Sequence, residues 1–505
     1  MKYFITIDAG TGSIRAVVFN ELGEQKGVYQ IEWEHLSEEG VANSMNFDCE
    51  KNWELVKECL ENSILDAGVK KSDISAITSS SMREGIVLYD ENKKEIWAVA
   101  NVDARAGDEV KFLKENFVGV EEEFYKTSGQ TFALGAIPRI LWLKNNRPKI
   151  YEKARYITML SDWILFKLTG KLAVEPSNAG TSGIFSLEKR EWDKAQMKKV
   201  GLKDDIFPPV LESGEVLAEP KKEFGFSKCK VVMGGGDVQL GTLGLGLTKE
   251  GDIAILGGSF WQQVVNIPSS TTPPKDMSIR VNPHVVKGLS QAEGITFFSG
   301  LVMRWFRDAF GCGKSYSELE EMAKSVPVGS YGIIPVFSDS MKYGKWYHAS
   351  PSFLNLSIDP SVCNTASMFR SLEENAAIVS AINLEKIEKF SSVKNDKIIF
   401  AGGSSKGELW SQIVADVLGK EVVVPVVKEA TSLGGAIYCA LALGVYESLD
   451  DTVKVMVKYE KTYKPNMAYH DKYKELREKF EKAYQKQLEL VDEGVTTSMW
   501  KAPGL

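Results

Sequence analysis

Val231 to Gly246 reads VVMGGGDVQLGTLGLG. The short apolar run Val231-Val232-Met233 predicts a buried strand that delivers three glycines to a turn. Glycines there let backbone N–H groups approach a ligand with no side chain in between. Asp237 follows at once, then an apolar run broken by Gly241, Gly244 and Gly246. A carboxylate just past such a turn lies beside whatever the turn cradles, which makes Asp237 the candidate catalytic base. A tight turn in any α/β protein would use the same letters. Two related glycine turns, one upstream and one downstream, separate the two readings.

The upstream turn opens the chain. Tyr3 to Ile7 reads as a strand, Asp8-Ala9-Gly10-Thr11-Gly12-Ser13 as a turn, and Ile14 to Phe19 as the returning strand. A hairpin tip of Gly10, Thr11, Gly12 and Ser13 offers backbone N–H groups and two hydroxyls to an anion, and Arg15 aims a guanidinium at the same place. Asp8 stands where a carboxylate would hold Mg2+, directly or through water. Downstream the pattern recurs: strand Ile253 to Leu256, turn Gly257-Gly258-Ser259, strand Trp261 to Ile267. A third turn, Gly402-Gly403-Ser404-Ser405-Lys406-Gly407, joins strand Lys397 to Ala401 to helix Glu408 to Leu418, a frame for a nucleotide. Gly300, ahead of an amphipathic helix at Leu301 to Phe310, completes the candidate phosphate contacts.

Strand Ile74 to Ser80 ends at Ser81-Met82-Arg83-Glu84-Gly85. Adjacent opposite charges at a strand end are either a solvated loop pair or a clamp in which Glu84 accepts from hydroxyls and the Arg83 fork donates to them. A hairpin at Ile86 to Tyr89 and Ile96 to Ala100 leads to Asn101-Val102-Asp103-Ala104-Arg105. Ala136 to Asn145, Tyr156 to Leu168, Ser371 to Lys386 (opening with Glu373-Glu374), Thr431 to Leu443 and Tyr469 to Val491 read as helices, and Asn178 to Gly183 as a small-residue turn.

With 505 residues, two large domains are expected, 1–247 and 248–505. A formal charge of −7 argues against nucleic-acid and anionic-membrane partners. Cys49, Cys59, Cys229, Cys312, Cys363 and Cys439 form no metal-ligand spacing and read as reduced structural thiols. No apolar run approaches the ~18 residues of a membrane span, and a cytoplasmic location is expected.

Taken together, Asp8 to Arg15, Arg83-Glu84, Asp103/Arg105, Gly234 to Gln239, Gly257 to Ser259 and Gly402 to Ser404 resemble the FGGY carbohydrate kinases, in the same order through nearly the whole chain. The resemblance implies an α/β fold of two ribonuclease-H-like domains of the actin and sugar-kinase type around a cleft, with ATP and Mg2+ as cofactors. It implies Asp237 as general base; Arg83, Glu84, Asn101, Asp103 and Gln239 on the substrate; Thr11, Ser13 and Arg15 at the transferred phosphate. Asp8, with Asp237 beside it, would face the metal, and Gly402, Gly403 and Ser404 the adenine and ribose. Within the family the likeness is densest at Ser81 to Tyr89, Asn101 to Ala106, Glu175 to Gly183, Trp346 to Ser350 and Thr496 to Leu505. It points to the terminal hydroxyl of linear 4,5-dihydroxypentane-2,3-dione as acceptor. A common pentulose or glycerol is the alternative acceptor, and an actin-like ATPase the alternative class, although such an ATPase needs no polyol clamp. The chain departs from the family at Asn101, where Trp is frequent, at Gly258, where Thr is, and at Arg139, where Lys is; a Gly is expected near Asn355. Loss of the Trp removes an apolar wall and favours a small, hydrated, polar substrate.

Overall fold

The computed structural model describes residues 1–133, 135–337, 339, 345–427 and 429–502. Two seven-stranded sheets organise them. The first runs Val216–Ala218, Lys230–Val232, Ile74–Ser81, Tyr3–Ala9, Ser13–Asn20, Gln25–Glu32, and Gly235–Gly236 also pairs with Ile74–Ser81. The second runs Arg280–Pro283, Leu289–Thr296, Trp261–Pro268, Ile253–Gly257, Lys397–Ala401, Glu421–Pro425, Tyr459–Tyr463.

The two sheets repeat one topology. In each, a glycine-tipped antiparallel hairpin gains a third antiparallel strand on one side and a parallel strand on the other. In each, a further parallel strand leads to a helix, Asp237–Gly244 in the first and Ala430–Ala442 in the second. The faint echo between the two hairpins is therefore a repeat of a whole ribonuclease-H-like sheet. Side chains alternate across it as strand geometry requires: Ile5, Ile7 and Ile77 enter one core, Phe4, Val17 and Ala76 the other. Among the described residues no helix is long and apolar enough to cross a membrane.

The first sheet ends at Gly236 and the second begins at Ile253, but the packing crosses between them. Helix Ala430–Ala442 lies against the first sheet, where Leu433, Ala436 and Ile437 share a core with Phe4, Leu240 and Leu243. Its backbone meets that of helix Asp237–Gly244 directly. A Cβ on Gly244 would stand 1.9 Å from the Ala430 carbonyl oxygen, and one on Gly434 2.0 Å from that of Leu240. Thr431 Oγ1 donates to the Asp237 carbonyl at 3.0 Å, and Thr6 Oγ1 to the Ser432 carbonyl at 2.7 Å.

Three sequence expectations change. Tyr156 to Leu168 is not one helix: Tyr156–Met159 is a strand on Ile86–Tyr89, and the helix is Leu160–Thr169. Four apolar or β-branched residues fit either period, and sheet pairing decided it. The helix expected from Ser371 is Thr365–Ser391, started by Asn364, whose side chain accepts from Ala366 N and Ser367 N. Glu373 and Glu374 are thus mid-helix and buried. Asn178 to Gly183 is not an open turn but parts of two short helical turns, Pro176–Ala179 and Gly180–Ser182. Of the stretch Thr496 to Leu505, the last three residues lie outside the described residues.

Alanine is the better helix former by about 1 kcal/mol, yet Gly244→Ala and Gly434→Ala are each expected to lose about 1–3 kcal/mol through overpacking. Urea unfolding checks this against Gly12→Ala, whose Cβ meets nothing within 4 Å.

Candidate active site

Asp8 and Arg15 face each other across the first hairpin, with Arg15 Nε 3.7 Å from Asp8 Oδ2. Arg15 also donates to Glu429, the residue that precedes helix Ala430–Ala442. The tip itself is tied down by the next strand and its exit: Trp33 Nε1 donates to the Gly10 carbonyl at 3.0 Å, and the His35 ring contacts the Thr11 carbonyl at 2.8 Å. Ser13 begins the returning strand, while Thr11 and Gly12 stay exposed.

Asp237 is the first residue of its helix, with 37 % of its side chain open. The glycines before it serve the protein interior. A Cβ on Gly234 would stand 1.8 Å from the Ser79 carbonyl oxygen, and Gly236 N donates to Ser177 Oγ at 2.9 Å. The triple glycine is therefore needed for protein packing.

A buried charge network surrounds this acid. Arg83 Nε stands 3.9 Å from Asp237 Oδ1, and Arg83 Nη1 donates to both oxygens of Glu293 at 2.7 and 2.8 Å. Gln239 Nε2 and Asn282 Nδ2 reach Glu293 Oε1 at 2.9 and 2.6 Å. Glu84 is held at φ 65°, a strained value for a residue with a Cβ, and its carboxylate pairs with Arg280. Arg139 ties two loops together, donating to the carbonyls of Glu84 (2.6 Å), Asn101 (2.8 Å) and Asp103 (2.6 Å). Asn101 Nδ2 in turn donates to Thr11 Oγ1 at 2.9 Å. Asp103 is committed elsewhere: its carboxylate accepts from Arg105 and from Met45 N, and it is buried. Among the described residues, buried Asp8 Oδ1, Asn101 Oδ1 and Gln239 Oε1 have no hydrogen-bond partner.

The electrostatics follow. Burial raises the Asp237 carboxyl to about 7; Arg83 pulls down, while Asp8 and Glu84 push up. Burial likewise raises Asp8, against the pull of Arg15 and with the push of Glu429. Burial opposes the charge of Glu84 too, but Arg280 and then Arg83 outweigh it and keep this carboxyl below its usual range.

Two cavities are lined by residues singled out above. One of about 540 Å³ is lined by Gly258, Ser259, Gly300, Gly403, Ser404 and Lys406 together with Arg304, Tyr316 and Trp410. Gly402 backs this turn at φ 102°, where a Cβ would stand 2.7 Å from the Gly257 carbonyl oxygen. The other, of about 180 Å³, is lined by Glu84, Arg280, Glu293, Phe297, Trp346 and Trp500 among others, so it draws on both halves of the chain. Sequence reading missed Glu293, Arg280 and Glu429. Glu293 left a signal, since Gln291 and Glu293 are polar residues on one face of strand Leu289–Thr296. Arg280 and Glu429 left none.

Arg139→Met is expected to lose about 2–4 kcal/mol by orphaning buried carbonyls, and Arg139→Lys less, as read by chemical denaturation.

Residues 3–244 match the N-terminal domain and residues 264–443 the C-terminal domain of the FGGY family of carbohydrate kinases. The chain is 52 % identical to proteins named autoinducer-2 kinase from Salmonella typhimurium and Klebsiella pneumoniae, covering 100 % of this chain and 98 % of each of those. Its fold is that of a xylulose kinase from Lactobacillus acidophilus, at 20 % identity and a TM-score of 0.85 over 98 % of this chain and 99 % of that one. With both family domains matched in order and full-length relatives at this identity, the chain belongs to the FGGY family of carbohydrate kinases.

Proposed function

We propose that this chain is an autoinducer-2 kinase: it transfers the γ-phosphoryl group of ATP to the terminal hydroxyl of linear 4,5-dihydroxypentane-2,3-dione, in the cytoplasm. The observation that carries the mechanism is Asp237, a partly open carboxyl raised to about 7 at the start of its helix and beside Arg83. Full-length identity to relatives of that name supports the acceptor. The small cavity, a third the volume of the other, suits a five-carbon acceptor, and the large one suits the nucleotide. On this reading residues 1–247 carry the base and most of the acceptor contacts, and 248–505 the nucleotide.

Asp237 takes the acceptor's hydroxyl proton as the new P–O bond forms and the bond to ADP breaks, an effect worth roughly 10²–10⁴-fold. A carboxyl near 7 is poised for this, being ionised in useful measure yet basic enough to hold the proton. Arg83, braced by Glu293, keeps the Asp237 oxygen in place. Asn101 Oδ1 and Gln239 Oε1, both without a partner, are acceptors waiting for substrate hydroxyls. Glu84 lines the small cavity, and Asp103 acts on the acceptor loop through Arg105 and Met45. Thr11, Ser13 and Arg15, with Gly10 and Gly12, meet the transferred phosphoryl group. Gly258, Ser259, Gly300, Gly402, Gly403, Ser404 and Lys406 frame the rest of the nucleotide. The family uses ATP with a divalent cation. Buried Asp8 Oδ1, without a hydrogen-bond partner among the described residues, fits Mg2+ held by one or two carboxylates and substrate phosphate. Bound there, such a cation neutralises charge on the phosphate oxygens.

Activity against pH tests the base. Asp237 loses its proton only as pH rises through about 7, against an ordinary 3.8. We therefore expect kcat/KM to climb through that range and to fall about tenfold per unit below it. Asp237→Asn is expected to abolish this limb and about 10²-fold or more of kcat. Between 3.8 and about 7 the folded chain retains a proton that the unfolded chain has lost. Stability from this group thus declines as pH rises, and the Asn variant should melt no lower than wild type at neutral pH. Near-normal turnover by a folded variant removes Asp237 from the role.

Acceptor choice is tested by ADP release with dihydroxypentanedione, xylulose, ribulose and glycerol. Dihydroxypentanedione is expected to give the highest kcat/KM. Glu84→Ala and Gln239→Ala should raise its KM about tenfold or more, one charged or buried hydrogen bond being worth roughly 1.5–3 kcal/mol, while ATP binding by calorimetry stays unchanged. A pentulose or glycerol used more efficiently by the wild type overturns the acceptor.

A further inference from the structure

The chain continues past its match to the family's C-terminal domain, which ends at residue 443. Helix Met467–Asp492 is followed by a strap that returns to the small cavity. Lys501 bridges antiparallel to Tyr347, His348 N donates to the Trp500 carbonyl at 3.0 Å, and Ala502 N to the Trp346 carbonyl at 2.8 Å. Lys345 holds Asp492 at 2.6 Å, so the segment is tied at both ends. This pairing sets the Trp500 ring 4.8 Å from that of Phe297, which in turn stands 4.7 Å from the ring of His348. Trp500, Trp346 and Phe297 line the same 180 Å³ cavity as Glu84, Arg280 and Glu293.

The cavity is thus two-natured. Its charged groups are already paired, Glu84 with Arg280 and Glu293 with Arg83, so it suits a neutral polyhydroxylated molecule better than an anion. Glu293 lies on strand Leu289–Thr296 and Phe297 at its exit, so the polar and the aromatic linings are adjacent parts of one cavity. The acceptor has the same division. In 4,5-dihydroxypentane-2,3-dione the hydroxyls are at carbons 4 and 5, and carbon 1 is a methyl group. A pentulose bears a hydroxyl there.

We propose that Trp500, carried on the C-terminal strap and backed by Phe297 and Trp346, is the specificity-determining contact that receives the methyl end of the acceptor and disfavours substrates with a hydroxyl at that position. The inference rests on the acceptor proposed above. The strap supplies from the far end of the chain an apolar wall of the kind lost where Asn101 replaces Trp. An apolar pocket discriminates against an added hydroxyl by about 10²-fold at most, which sets the scale of the effect.

The test compares steady-state kinetics of the full-length chain, Trp500→Ala, Trp500→Gln and Trp500→Phe on dihydroxypentanedione and xylulose, with melting temperature and ATP KM alongside. Trp500→Ala is expected to raise the KM for dihydroxypentanedione about tenfold, with kcat changed less than about threefold and ATP KM unmoved. The dihydroxypentanedione-to-xylulose ratio of kcat/KM should fall about tenfold or more. Trp500→Gln, which offers the extra hydroxyl a partner, should lower the ratio by raising activity on xylulose. Trp500→Phe should keep it within about threefold of wild type. A ratio unchanged in folded Trp500→Ala or Trp500→Gln overturns the inference, as does loss of kcat and ATP affinity together at a constant ratio, the mark of a purely structural strap. Wild type that ignores dihydroxypentanedione overturns instead the acceptor on which it rests.

Discussion

Everything at the centre of this molecule depends on two helices whose backbones touch. Asp237–Gly244 and Ala430–Ala442 are equivalent elements of the two repeated sheets, and glycine on both partners removes the only atoms that would hold them apart. Their contact brings one element of each repeat into a single core with Phe4 and Leu243. It also decides where chemistry can occur. The first residue of one helix is Asp237, and the residue preceding the other is Glu429, which anchors Arg15. A crossing without side chains is a rigid one, because there is no rotamer to relax, so the acid and the guanidinium are set by backbone position.

Around that crossing, buried charge is used for geometry. Arg83 with Glu293 and Glu84 with Arg280 each join a residue of the first half to one of the second. Desolvation removes much of the Coulomb gain from such pairs, but a pair with one partner missing is strongly unfavourable. The two halves therefore have few alternatives to the observed register. Arg139 does the same with carbonyl groups, and its planar fork reaches three of them where a lysine would offer a single point of charge. These contacts hold Glu84 in a backbone conformation it would not adopt in an isolated loop.

The same burial raises the Asp237 carboxyl. That carboxyl accepts from Val238 N at 2.8 Å, and Arg83 stands 3.9 Å off, hydrogen-bonded to both oxygens of Glu293. Burial raises the acid, and Arg83, committed to Glu293, offsets it only in part.

Local pattern determined much of this chain by itself. Glycine and hydroxyl turns after short β-branched runs announced both hairpins, the acid after Gly234-Gly235-Gly236 announced Asp237, and helix Glu408–Leu418 was legible to the residue because a glycine stands at each end. These are effects of neighbours in sequence: φ freedom, alternation and capping. What only the tertiary structure decided is which side chains meet. Glu293, Arg280 and Glu429 lie 210, 196 and 414 residues from the partners that give them meaning. Tyr156–Met159 became a strand because Ile86–Tyr89 offered an edge, and the triple glycine is glycine because Ser79 and Ser177 press against it. Propensity acts over a few residues and so is written locally. Desolvation and charge pairing act between surfaces that become neighbours only when the chain is folded, and no short stretch of sequence contains both sides.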